Sequence, residues 1–218
     1  MAVETWDLAI GAERTGSIWP YLIATLIAAL VGTVIGAVGG LALALWLSTN
    51  DFASQVMSPI IAVINATPRV AFIPIIVIIV GPNPTSSAIT AVTIVFFIVF
   101  FNAFEGSRSI PRETLNNARL LGASGVSAMW RVRFPYAAAW TFAALPNAIS
   151  FGLVGAVTAE ILSGAQGVGK LMLTAINTVN ADLTFAVVFY VGALGALLVL
   201  FTAAARRRFL HWWDIDPR

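Results

Sequence analysis

The stretch Asn116–Pro135, "NNARLLGASGVSAMWRVRFP", decides how this chain is read. It lies between two strongly apolar segments, and it holds arginines, a central Gly122 and a terminal Pro135. Leu115, Ala118 and Leu121 recur at helical spacing, so a short helix is expected up to Gly122, which can take a positive φ and stop it. Ser124 is placed to cap a second helix over "GVSAMWRVRF", and Pro135 is expected to close the loop. Two short helices meeting at a glycine, with exposed apolar tips, suit docking into a groove on another protein. The same residues also suit a helix lying among lipid headgroups, with Trp130 as its anchor.

The flanks set the context. Of 218 residues, 59% are hydrophobic and 10% charged, where a soluble domain carries about 25% charged. Mean hydropathy is +0.91, and several apolar runs approach or exceed the ~18 residues that cross a bilayer. The chain therefore reads as an all-α, polytopic membrane protein with a single transmembrane domain over 1–218. Five spans are expected, at about 18–47, 56–80, 86–104, 137–162 and 185–205, with a loop over about 105–136. The second is interrupted by Pro59, Pro68 and Pro74. In the first, Gly32, Gly36 and Gly40 follow small-xxx-small spacing, which permits close helix packing.

Basic residues orient the spans. Arg108, Arg112, Arg119, Arg131 and Arg133 lie in the loop, and Arg206, Arg207, Arg208 and Arg218 follow the last span. With an odd number of spans, these two segments share a side and hold nine of the twelve Lys and Arg residues. The positive-inside rule puts both in the cytoplasm and the N-terminus outside. The net charge of +2 is too modest to suggest a nucleic-acid partner. The polar, acidic beginning does not read as a cleavable signal peptide. The chain lacks cysteine, which removes disulfide and thiol chemistry.

Ala118, three residues, Gly122, nine residues, Val132, one residue, then Phe134–Pro135 resembles the EAA loop of ABC importer permeases. The family pattern is Glu-Ala-Ala, three residues, Gly, nine residues, Ile, one residue, Leu-Pro. Asn116 and Asn117 stand where Glu and Ala are usual. "ATPRVAFIPIIVIIVG", with its Pro-x-x-Ala-x-x-Pro, and "AEILSGAQGVGKLMLTA" resemble the nitrate, sulfonate, taurine and vitamin-precursor group of type I importers. Many members carry one more N-terminal span than the five read here.

The resemblance implies a five-span permease core in a bacterial inner membrane. It implies pairing with a second permease chain, two ATP-binding subunits that carry ATP and magnesium, and an external solute-binding protein. The coupling residues it implies are Asn116, Asn117, Ala118, Arg119, Gly122, Ala123, Val132 and Pro135. No cofactor or metal is expected on this chain, and the GxxxxGK[ST] phosphate loop is absent from its sequence.

Pathway or gate candidates come from polar residues at membrane depth. Arg69 follows Pro68 in the second span; it suits a gate, or equally an arginine reaching for the interface. Glu160, at the end of the fourth span, suits an ion pair with Lys170 or Arg69, a structural hydrogen bond, or contact with solute. Asn147 and Ser150, with Thr158 further along, can line a pore or join helices. Gly164, Gly167 and Gly169 suggest a re-entrant hairpin that meets the binding protein, and His211 with Trp212 and Trp213 an interfacial anchor. The rival classes are a membrane scaffold without transport and an intramembrane enzyme. The second needs converging nucleophiles, bases or metal ligands, and the spans offer neither Cys nor His.

Overall fold

A computed structural model describes residues 17–209. Helix α1 (Trp19–Ser48) carries Pro20 in its first turn, where a missing N–H costs nothing. It ends where the Thr49 hydroxyl donates to the Trp46 carbonyl. Asn50 caps α2 (Asp51–Ala66) by accepting from the Ala53 N–H at 3.1 Å. Asn83 caps α4 (Pro84–Arg108) in the same way, accepting from Thr85 and Ser86.

The second apolar stretch is not one continuous helix. It comprises α2, a 3-10 turn over Arg69–Phe72, and α3 (Ile73–Val80). Pro59 lies inside α2 without ending it. The break comes before Pro68, where Thr67 is extended at φ −76° and ψ 130°, as the proline ring demands of its predecessor. Pro74 then sits in the first turn of α3.

Beyond α4 come α5 (Arg112–Leu120), α6 (Gly125–Ala128), a π-helical turn over Met129–Arg133, and α7 (Phe134–Ser163). A short α8 (Val168–Asn177) and a long α9 (Ala181–Phe209) follow. Among the described residues, four helices are long and apolar enough to cross a membrane: Trp19–Ser48, Pro84–Arg108, Gly125–Ser163 and Ala181–Arg206.

The centre is a three-helix packing of α1, α4 and α7. Lipid supplies no hydrophobic drive between helices, so close van der Waals contact must hold them. A Cβ on Gly36 would lie 2.8 Å from the Val92 carbonyl oxygen, and one on Gly40 2.6 Å from that of Phe96. Side chains at these positions would push α1 off the backbone of α4. The glycine spacing seen in the sequence thus performs the packing expected of it. At one end of the bundle Ala44, Leu45, Phe100, Phe104 and Ala137 form a buried cluster. At the other, Ile18, Leu22, Val168, Ala186 and Val187 join α1, α8 and α9.

Candidate functional site

The loop identified from sequence occupies the Ser48–Arg108 end of the bundle. Helix α5 stops in a Schellman motif. The Ala123 N–H donates to the Ala118 carbonyl at 2.8 Å, and the Gly122 N–H donates to that of Arg119 at 2.9 Å. Gly122 carries φ +84°, and a Cβ built there meets nothing within 4 Å. Backbone handedness, rather than crowding within the chain, is what this position requires of its residue.

Two local expectations are corrected. Ser124 stands at the N-cap of α6, but its side chain makes no capping bond. The first helical residue, Gly125, is itself left-handed at φ +48°. Leu120 and Leu121, 85% and 88% exposed, form the apolar tip expected at the end of α5. Pro135 does not end the loop, since helix runs unbroken from Gly125 to Ser163. The physical reason is the π-turn. A proline cannot donate to the carbonyl four residues back, and its ring collides with it. Here the Phe134 N–H reaches back five residues to Met129, and this wider turn admits Pro135 into the first turn of α7.

The exposed apolar residues Leu120, Leu121, Val126 and Trp130 are gathered on this one loop. Asn116, Asn117 and Arg119 are exposed, while Ala118, Ala123, Val132 and Pro135 are half-buried. Arg119, Gly122, Ala123 and Val126 line an open cavity of about 710 Å³, together with Thr49 of the α1 end and Arg133. Arg133 also donates from its guanidinium to the Ser48 carbonyl. The carbonyls at the end of α1 lack helical partners, so this bond ties the loop to the first long helix.

At the opposite end, Glu160 is 1% exposed. Its carboxylate accepts from Thr25 Oγ1 at 2.9 Å to each oxygen, and from the Gly169 N–H at 2.9 Å. The Val168 N–H donates in turn to Thr25 Oγ1 at 2.8 Å. A Cβ on Gly167 would fall 2.1 Å from Glu160 Cδ. Glu160 thus joins α1, α7 and the start of α8. Sequence reasoning missed Thr25 as its partner; a lone acid in an apolar span is the signal to look for hydroxyls on other spans.

The other candidates separate. Asn147 is exposed on α7, on a stripe with Trp140, Phe151 and Val154. Ser150 donates to the Pro146 carbonyl and Thr158 to that of Val154, each four residues back. Pro68 is exposed ahead of the 3-10 turn. The Arg69 side chain, and His211, Trp212 and Trp213, lie outside what the structure describes. No cluster able to hold a metal occurs among the described residues.

Residues 36–211 match the model of one protein family, the binding-protein-dependent transport system inner membrane component. The chain belongs to this family. Permease proteins of the family occur among its relatives. It is 28% identical over 201 residues to the riboflavin transport system permease protein RibX of Chloroflexus aurantiacus, covering 92% of this chain and 75% of RibX. It is 24% identical over 196 residues to the taurine transport system permease protein TauC of Escherichia coli, covering 90% and 71%. The fold matches a chain of the MetNI methionine ABC transporter in an inward-facing conformation, with a TM-score of 0.69 at 18% identity, covering 95% and 98%. The architecture is accordingly that of a type I ABC importer permease, and the chain is a multi-pass membrane protein.

Proposed function

We propose that this chain is the pore subunit of an ATP-driven bacterial importer, working as a pair with a second permease chain. Two ATP-hydrolysing subunits dock on the loop over 105–136, and an external binding protein delivers the solute. The observation that carries this reading is the α5–Gly122–α6 turn. It gathers exposed apolar side chains on a surface, fixes their geometry with a Schellman motif, and continues as helix into the core of the bundle. A lipid-lying helix needs no such continuity. An ATPase closing on this turn would rotate α7, and α1 through Arg133, giving alternating access.

The solute is a small molecule or ion of the nitrate, sulfonate, taurine or pyrimidine and flavin type. Relatives named for riboflavin, taurine and nitrate transport support that range. The chain lies in the inner membrane with its loop and C-terminus cytoplasmic, which the arginine distribution supports. The exposed α7 stripe with Asn147, and the Pro68–Arg69 break, are the pathway candidates. Reconstitution with the cognate ATPase and binding protein tests the reading. Solute-stimulated ATP hydrolysis and uptake are expected only with all three components, and ATP hydrolysis by the purified chain alone would overturn it.

A further inference from the structure

Five segments converge on a second cavity at the loop end of the bundle, about 270 Å³ in volume. Ser48 comes from the end of α1, Ser54 and Gln55 from the start of α2, Ser107 and Arg108 from the end of α4, and Arg133 from the π-turn. Leu115 of α5 closes one side. No acidic side chain lines the cavity among the described residues, and neither arginine makes an ion pair among them.

The donors are arranged for an incoming anion. Arg133 spends part of its five-donor fork on the Ser48 carbonyl. Arg108 rests over the Phe104 ring, 5.4 Å from the centroid, which holds the guanidinium in place, and its N–H groups make no hydrogen bond among the described residues. Ser54 is only 8% exposed, and its hydroxyl makes no hydrogen bond among the described residues. The residue lines the cavity, so its hydroxyl is available to a ligand there. Ser48 and Ser107, by contrast, spend their hydroxyl protons on the Leu45 and Phe104 carbonyls.

We infer that this cavity binds the phosphate of an anionic ligand, with Arg108 and Arg133 as the charged donors and Ser54 and Gln55 as neutral ones. Two guanidinium forks suit a phosphate oxyanion better than a carboxylate-sized or neutral group. At the end of a membrane bundle, the phosphate can come from an anionic lipid headgroup or from solution. Either would bridge α1, α2 and α4 to the loop and stiffen their junction. The inference rests on the chain's membrane location and not on its proposed role in import.

The test is native mass spectrometry of the full chain in detergent, with phosphatidylglycerol, phosphatidylcholine or inorganic phosphate added. Retention of phosphatidylglycerol over phosphatidylcholine is expected. It should fall several-fold in Arg108→Gln and in Ser54→Leu, which fills the cavity without changing charge. Arg206→Gln, on an arginine outside the cavity, should retain lipid as the parent does. Retention that survives millimolar phosphate identifies the headgroup as the ligand; displacement by phosphate, with phosphate bound instead, identifies the soluble ion. Equal retention of the two lipids with no bound phosphate, unchanged retention in both cavity variants, or equal loss in Arg206→Gln would each overturn the inference. Arg133→Gln is a poor probe, because it also breaks the bond to Ser48.

Discussion

Thr25 Oγ1 sits 2.9 Å from both carboxylate oxygens of Glu160, joining helices 135 residues apart in sequence. Gly167 lies against the same carboxyl group, in extended backbone that any residue can adopt. An added methyl at 167 therefore meets Glu160 and no backbone penalty. Gly167→Ala is expected to destabilise the parent by about 1–3 kcal/mol through overpacking. Glu160→Ala should cost a similar amount by stranding the Gly169 N–H and the Thr25 hydroxyl. Combined, they should cost clearly less than the sum, since the second change makes room for the first. Thermal unfolding of the four proteins in detergent measures this, and simple additivity would refute the contact.

The glycine seam of α1 gives a paired prediction. Gly40 faces the backbone of α4, whereas a Cβ on Gly39 would meet only the Phe96 ring, at 3.5 Å. Gly40→Val is expected to cost about 2 kcal/mol or more, and Gly39→Val to be close to neutral. Unfolding midpoints that fall equally would mean that α1 and α4 do not approach as closely as described.

Val179 ends α8 in the position usually held by glycine. The Asn180 N–H donates to the Ala175 carbonyl, and Val179 carries φ +52° while 89% exposed. A β-branched residue is strained there. Val179→Gly should relieve about 1 kcal/mol, less what glycine loses in the unfolded chain, and should raise the unfolding midpoint. A lowered midpoint would show that the valine side chain contributes packing worth more than its strain.

For the proposed coupling loop, Gly122→Asn keeps a residue that tolerates positive φ, while Gly122→Asp adds a charge and Ala118→Arg adds bulk. Neither of the last two touches the spans, so insertion and pairing should survive. Loss of ATPase co-purification, or of solute-stimulated hydrolysis in proteoliposomes, is expected for both and to a lesser degree for Gly122→Asn. Wild-type coupling in Gly122→Asp and Ala118→Arg would reduce the loop to a helix at the lipid surface.

Arg69 starts the 3-10 turn that divides the second apolar stretch. As a pathway residue, Arg69→Ala should alter uptake with assembly intact, and Arg69→Lys should not restore it. Normal uptake in both variants would remove Arg69 from the pathway.

Local chemistry made much of this legible. The Gly122 stop, the α1 glycine seam and the break ahead of Pro68 each follow from what a single residue type permits or forbids at its own position or its immediate neighbour. Pro135 misled, because a proline after a loop reads as a boundary, and nothing in composition announces a π-turn that takes the ring into a helix. The Thr25–Glu160 and Arg133–Ser48 bonds were out of reach for a different reason. Each joins residues 85 or more positions apart, and local periodicity carries no information about which polar group on one span meets which on another.

The unbroken helix from Gly125 to Ser163 has 39 residues, which at 1.5 Å per residue makes a rod of roughly 58 Å. If one end is tilted by about 5°, the other swings by roughly 5 Å, on the scale of a small solute. In the proposed import cycle such a rod would act as a lever arm between the loop and the Glu160 end of the bundle. The π-turn and Pro146 interrupt its regular hydrogen bonding, so in that cycle their stiffness would set how much of a push at the loop arrives as displacement at Glu160.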